Sequence, residues 1–338
     1  MRRLSIGLTA LTALALGTAA ARPAQWLWNL PEGVEPPPAP ADNPMNAAKV
    51  ELGRRLFYDA DLSVDGTMSC ATCHEQKRAF ADGNRTRPGV HGDPGRRNVP
   101  GLANVGYLSP LTWADPRLST LEVQVAVPIF GETPVEMGMK GKEQELLRRL
   151  SRDKCYIRMF RNAFPERRGT IDMPAVSKAL AAFQRTLLSH ASLYDRYRRG
   201  EESAFPAAAR RGEALFGAHC ASCHSGGNFT DQQFHAIEGK GTSSDMGLAE
   251  ITGLPEDHGR FRTPSLRNVA LTGPYLHDGS AASLPEAIAR HAFMVPLAGT
   301  LTPAQRDDLL AFLDTLTDRE FVENPKFAYP ETACGKPL

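Results

Sequence analysis

Two short runs carry the chemistry: Cys70-Ala71-Thr72-Cys73-His74 and Cys220-Ala221-Ser222-Cys223-His224. In a Cys-x-x-Cys-His turn both sulfurs project from one edge and the imidazole lies directly beneath. Thiols so placed add to the two vinyl groups of a haem, and the adjacent His supplies an axial nitrogen to iron. A single run also fits a redox or zinc pair with an incidental His. Two runs at equivalent places of a repeat argue for covalent haem twice over, with His74 and His224 as proximal ligands.

The repeat extends on both sides of the motifs. Upstream stand Gly53-Arg54-Arg55-Leu56-Phe57 and Gly212-Glu213-Ala214-Leu215-Phe216. Downstream, Val99-Pro100-Gly101-Leu102-Ala103-Asn104-Val105 matches Thr263-Pro264-Ser265-Leu266-Arg267-Asn268-Val269. Three features in one order mean duplication. Between the halves, Glu143 to Arg199 is rich in helix formers, with Val176, Leu180, Phe183 and Leu187 at helical intervals. Strand signals are sparse, and the Gly-rich stretch around 225–260 reads as long ordered loops wrapping a cofactor. The fold expected is all-α, with two haem domains over 44–200 and 201–338.

The ends and the composition bound the rest. Arg2 and Arg3, an apolar run from Leu4 to Leu16 and Ala19-Ala20-Ala21 read as a cleavable secretory signal over 1–21, too short for a membrane span, with an uncleaved anchor as the alternative. Residues 22–43, with Pro36-Pro37-Pro38-Ala39-Pro40, read as a leader or linker without structure of its own. The 39 Lys and Arg against 38 Asp and Glu leave a net charge of +1, which argues against a nucleic-acid or anionic-membrane partner. Cys155 and Cys334 remain after the motif cysteines; in an oxidising compartment they either bridge or stay free.

What faces each iron from the other side decides between catalysis and carriage. An open ferric haem binds peroxide; a capped one only passes electrons. Pro100 to Trp113 and Pro264 to His277 are both thirteen residues apart, and His291 follows His277 by fourteen. With one residue of allowance, the counterpart of His291 is Pro128, which has no side-chain donor. An imidazole cap is therefore expected on the second haem and an open site on the first. Met294, one helical turn on, is an alternative ligand that would raise the haem potential, and a solvated helix His is a third reading. Near the open face stand Gln124 and Glu136. Glu136 would take a proton from peroxide and return it to the leaving oxygen, or else is an ordinary surface carboxylate. Trp113 is either an inter-haem relay or a core aromatic, and His91 either caps the first haem at rest or is a solvated loop residue.

With these residues in view, the chain resembles the bacterial di-haem cytochrome c peroxidase and MauG superfamily over nearly all of its mature length. The resemblance rests on Leu52-Gly53-Arg54-Arg55-Leu56-Phe57, Met68-Ser69 before the first motif, Arg97-Asn98-Val99-Pro100, Pro134-Val135-Glu136-Met137, Phe261 to Val269, and Thr272-Gly273-Pro274-Tyr275-Leu276-His277-Asp278-Gly279. It implies two cytochrome c-like domains, a peroxide-reactive first haem and a six-coordinate second. Trp113 would bridge the haems, Gln124, Pro128 and Glu136 would form the distal pocket, and Asn98 with the carbonyls of Thr272 and Pro274 would hold a structural Ca²⁺, an ion suited to oxygen ligands.

The resemblance also separates branches. The peroxidases place Met on the second haem and MauG places Tyr; His291 here fits neither. A His/His haem is harder to reduce than a His/Met one, which favours MauG-like chemistry. In that chemistry hydrogen peroxide produces a high-valent di-haem state that oxidises a Trp or Tyr of a periplasmic partner protein. Two departures stand out: Pro128 to Glu136 is two residues longer than in MauG, and Ala218 occupies the place of MauG's surface Trp. The narrower resemblance is to the di-haem enzymes of methanobactin operons, the MbnH group, whose partner is the copper-binding MbnP. The alternatives are a cytochrome c peroxidase drawing electrons from a small cytochrome c or cupredoxin, and a non-catalytic di-haem electron carrier.

Overall fold

A computed structural model describes residues 26–202, 205–237 and 244–337; the expected signal peptide lies outside them. The described chain is helical. In the first half run α1 (Ala47–Phe57), α2 (Cys70–Cys73), α3 (Leu121–Gln124), α4 (Ala126–Phe130), α5 (Glu143–Arg152), α6 (Lys154–Ala163) and α7 (Met173–Arg185). The second half holds α8 (Leu193–Arg198), α9 (Ala207–His219), α10 (Ala249–Thr252), α11 (Leu284–Arg290), α12 (Pro303–Asp314) and α13 (Arg319–Glu323). Two antiparallel ladders of two residues each, β1 (Phe234–His235) with β2 (Phe261–Arg262) and β3 (Thr332–Ala333) with β4 (Lys336–Pro337), are the strands described. The stretch around 225–260 thus contains β1 and α10 as well as loops.

The duplication is visible in packing. In the first half α1 crosses α7 so closely that a Cβ on Gly53 would lie 1.9 Å from the Ala179 carbonyl oxygen. In the second, α9 crosses α12 with Gly212 equally pressed, 2.0 Å from the Asp308 carbonyl oxygen. Only glycine lets two backbones approach this far. Each crossing delivers a buried Phe: Phe57 packs on Phe183 at 5.3 Å between ring centres, and Phe216 on Phe312 at 4.9 Å. The helices start where their sequence says. Asp172 caps α7 by accepting from Ala175 N–H, and Thr302 with Gln305 forms a capping box on α12.

A second matched pair locks the halves together. Asn104 and Asn268 are both fully buried and left-handed, at φ 58° and 59°. Asn104 Oδ1 accepts from Ser189 N–H at 2.7 Å, and Asn268 Oδ1 accepts from Asp318 N–H at 2.7 Å. Asn268 Nδ2 also donates to Ser189 Oγ at 3.1 Å, so both asparagines meet the same connector. An Asn tolerates this backbone and satisfies buried polar groups at once.

Two segments lie elsewhere than their sequence suggested. Residues 26–43 form no helix or strand, yet they are packed along the first half. Glu35 O accepts from Tyr107 Oη, Pro38 O accepts from Arg185 Nε, and Asn43 is fully buried against α7. An extended Pro-rich chain has no internal hydrogen bonds, so its carbonyls are free for such donors. The chain end, assigned by sequence to the second half, packs on the first instead. Phe321, Val322 and Phe327 join the first core, Phe321 sits 5.7 Å from Phe80, and Cys334 forms a disulfide with Cys155 of α6.

Gly53→Ala should destabilise the holoprotein by about 1–3 kcal/mol or more, because overpacking at a backbone contact outweighs the gain in helix propensity. Gly217→Ala, at an exposed α9 position with nothing within 4 Å of the added methyl, should stabilise it by about 0.5–1 kcal/mol. Thermal unfolding of both variants checks the opposite signs.

Candidate functional site

Each Cys-x-x-Cys-His turn is fixed from below. His74 Nδ1 lies 2.6 Å from Phe80 O, and His224 Nδ1 lies 3.1 Å from Phe229 O. A carbonyl can only accept, so Nδ1 carries the proton and the Nε2 lone pair is left for a metal. Burial pushes both imidazoles down, His224 to about 4, so the rings are neutral as ligands must be. Phe57 and Phe216 lie 6.3 and 6.5 Å from these rings. Phe80 and Phe229 both have positive φ, 63° and 52°. No sequence signal marks them, because an aromatic residue in that conformation is uncommon.

Apolar surroundings push the thiols up, Cys70 to about 12 and Cys73 and Cys220 to about 11. Cys223 Sγ comes within 4.8 Å of Asp231 and His235 ligand atoms, but the second motif already commits that sulfur.

On the far side the halves differ. In the second, an apolar cavity is walled by Cys220, Cys223 and His224 on one side and by His291 and Met294 on the other. The His224 and His291 rings stand 6.4 Å apart between centres. Imidazoles bound to one metal from opposite faces, at about 2 Å per bond, have centres about 6 Å apart. His291 Nδ1 lies 2.8 Å from Ala287 O, which turns Nε2 toward the cavity. Met294 is largely exposed.

A buried cation completes the fit to a haem. Arg262 is 3 % exposed, lines the cavity and donates to the carbonyls of Thr112 and Thr263. Among the described residues no carboxylate pairs with it, and burial pushes its guanidinium down to about 10. A haem propionate is the counter-charge this arrangement suits. Arg262 stands within the run from Phe261 to Val269, but nothing in that run signals that it lacks an acid partner.

In the first half, Pro128 and Glu136 are brought together: Pro128 O accepts from Met137 N–H at 2.9 Å, and Ile129 O from Met139 N–H at 3.0 Å. Gln124, half-buried, ends α3 four residues before Pro128 of α4. Glu136 is near enough to the motif for its charge to push both Cys70 and Cys73 up, and burial raises its own carboxyl. Among the described residues no second imidazole stacks against the His74 ring. His91 is exposed, on a loop whose Val90 N–H donates to Glu136 O at 2.7 Å.

Trp113, Asn98, Thr272 and Pro274 all line the second cavity. Trp113 lines the second cavity, donates from Nε1 to Asn98 O at 2.8 Å and accepts from Arg262 N–H at 2.7 Å. Asn98 Nδ2 is committed to the carbonyls of Asn84 and Arg85, which leaves Oδ1 as an acceptor; Thr272 and Pro274 line the same cavity.

A repeated Cys-x-x-Cys-His turn beneath each of two cores defines a di-haem c-type protein. Comparison with known proteins agrees. Residues 47–203 match the di-haem cytochrome c peroxidase family and residues 209–317 the cytochrome c family. The chain is 38 % identical to the methylamine utilization protein MauG of Methylorubrum extorquens, over 85 % of this chain and 82 % of that protein. It is 30 % identical to the cytochrome c551 peroxidase of Pseudomonas aeruginosa, over 85 % and 82 %. Among solved structures, a MauG-like protein associated with microbial copper homeostasis superposes with a TM-score of 0.85 at 40 % identity, covering 90 % of this chain and 99 % of that one. The chain belongs to the di-haem cytochrome c peroxidase/MauG family and is a di-haem oxidoreductase. No helix among the described residues is long and apolar enough to cross a membrane.

His291→Ala should turn the second haem from low to high spin, read by absorption and EPR of the ferric holoprotein. Met294→Ala should leave that spectrum unchanged. The converse result would make Met294 the ligand.

Proposed function

We propose that this chain is a periplasmic MauG-like enzyme: peroxide reacts at the haem carried by His74, and the oxidising equivalents are used on an aromatic residue of a partner protein. The observation that carries this reading is the difference between the two far faces. Across from His224 stands an imidazole at ligand spacing; near the first motif's thiols lies Glu136, on a strip bonded to Pro128.

When bound, the haem pair supplies the redox chemistry and stores the two oxidising equivalents of peroxide. The chain supplies the rest. Glu136 would accept a proton from one oxygen of peroxide and deliver it to the other, the departing one, a transfer that assists O–O cleavage. Gln124 orients peroxide by hydrogen bonding. Pro128 keeps the position over His74 free of a ligating side chain. His224 and His291 would hold the second haem, and Trp113 couples the two halves, tied to Asn98 on one side and Arg262 on the other. Asn98 Oδ1 and the carbonyls of Thr272 and Pro274 would hold a structural Ca²⁺. Export by the 1–21 signal supports the periplasmic assignment.

Similarity to a MauG-like protein associated with microbial copper homeostasis favours the methanobactin-operon branch, with a copper-binding protein of the MbnP kind as partner. Similarity to peroxidases favours the second reading, peroxide reduction with electrons from a small cytochrome c or cupredoxin.

Peroxide added to the fully ferric holoprotein separates them. A rapid optical change without prior reduction is expected here; a change that requires one haem to be reduced first would support the peroxidase reading instead. Glu136→Gln should slow the peroxide step by about 10²–10⁴-fold. Because Glu136 must be ionised to accept the proton and burial raises its pKa above the ordinary 4.5, the wild-type rate should fall as pH drops through a value higher than that. The variant should lose this acid limb.

A further inference from the structure

A row of rings leads from the first haem site to the surface. Phe57 lies 6.3 Å from His74, Tyr58 lies 5.4 Å from Phe57, and Tyr329 lies 5.8 Å from Tyr58. Tyr329 is 49 % exposed. Its position depends on the chain end being strapped to the first half. Tyr58 Oη donates to Phe327 O at 2.7 Å, Arg54 Nη1 to Pro325 O and Ala328 O at 3.3 Å each, and Gln76 Nε2 to Asn324 O at 2.8 Å. The Cys155–Cys334 disulfide fastens the strap five residues beyond Tyr329.

We propose that Tyr58 and Tyr329 relay oxidising equivalents from the first haem to the surface, where Tyr329 is the terminus that oxidises a protein substrate; this rests on the function proposed above. Peroxide is the oxidant and takes two electrons and two protons on its way to water. In each of two passes Tyr329 gives one electron, through Tyr58, to the oxidised haem pair and its phenolic proton to water. The tyrosyl radical formed is restored when it takes one electron from the substrate's aromatic side chain and one proton from solvent. Phe57 is not oxidised; it is the apolar bridge between His74 and Tyr58.

The surroundings give the relay a direction. The Tyr58 hydroxyl faces a carbonyl, which cannot receive its proton, so a hole there does not settle by deprotonation. Tyr329 meets water, which takes the proton. Arg54, whose charge reaches Tyr58, is ion-paired with Glu51 at 2.6 Å. The second half has a comparable row, from His224 through Phe216 and Phe229 to Tyr194 and Tyr197. It ends under a positive charge: Tyr197 is stacked on Phe205 at 4.1 Å, with the Arg210 guanidinium 4.9 Å above its ring. A cation there opposes electron loss.

The test treats the holoprotein with peroxide, without partner, in the presence of a nitroso spin trap, and locates the adduct by peptide mass spectrometry. The adduct is expected on Tyr329. In Tyr58→Phe it should fall about tenfold or more, while the peroxide-induced optical change at the haems stays as in wild type. Tyr329→Phe, an exposed substitution that leaves the core intact, should abolish the tyrosyl EPR signal, and Cys155→Ser should weaken it by loosening the strap. Adducts on Tyr197 or Trp113 in place of Tyr329, or a Tyr329 yield unchanged in Tyr58→Phe, would overturn the relay while leaving the proposed function standing. No optical response to peroxide in any of these proteins would overturn both.

Discussion

A buried imidazole whose Nδ1–H has one carbonyl within reach can point only one way. That bond, His74 to Phe80 and His224 to Phe229, is the constraint from which the architecture follows. It requires a left-handed backbone at a phenylalanine, which costs of order 1–3 kcal/mol and persists only where packing enforces it. The packing is supplied by the glycine-tight crossings of α1 on α7 and α9 on α12, which press Phe57 and Phe216 beneath the motifs. In the first half the chain end adds Phe321 against Phe80, so the proximal side of that site is braced by a segment from the far end of the sequence.

With the proximal sides equivalent, function rests on how the duplicated halves diverged opposite them. One half retained a side chain able to ligate, His291, oriented by Ala287 O. The other has Pro128 at the corresponding register and a half-buried carboxylate, Glu136, on a strip bonded to the same helix. Burial does different work on the two sides: around Arg262 it leaves a charge waiting for a counter-ion, and around Glu136 it raises a proton affinity.

Much of this is legible in the amino-acid sequence alone. The attachment motifs, the duplication and the all-α class follow from local spacing, since the glycine at each helix crossing and the asparagine at each seam recur in the same order in both halves. His291 is reachable by registering one half on the other. What spacing cannot supply are relations between distant groups. The burial of Arg262 without an acid, the strapping of 26–43 along α7, and the return of Phe321 and Tyr329 to the first half leave no periodic trace. Two leftover cysteines are compatible with a bridge or with free thiols, and only the seating of the chain end on α6 makes the Cys155–Cys334 bond definite.

The central claim is an inequality of coordination between two haem sites that share a proximal design. EPR of the fully ferric holoprotein at low temperature tests it directly. One high-spin and one low-spin haem in equal amounts is the expected result. Two low-spin haems, with no high-spin component at any pH where the protein is folded, would contradict it.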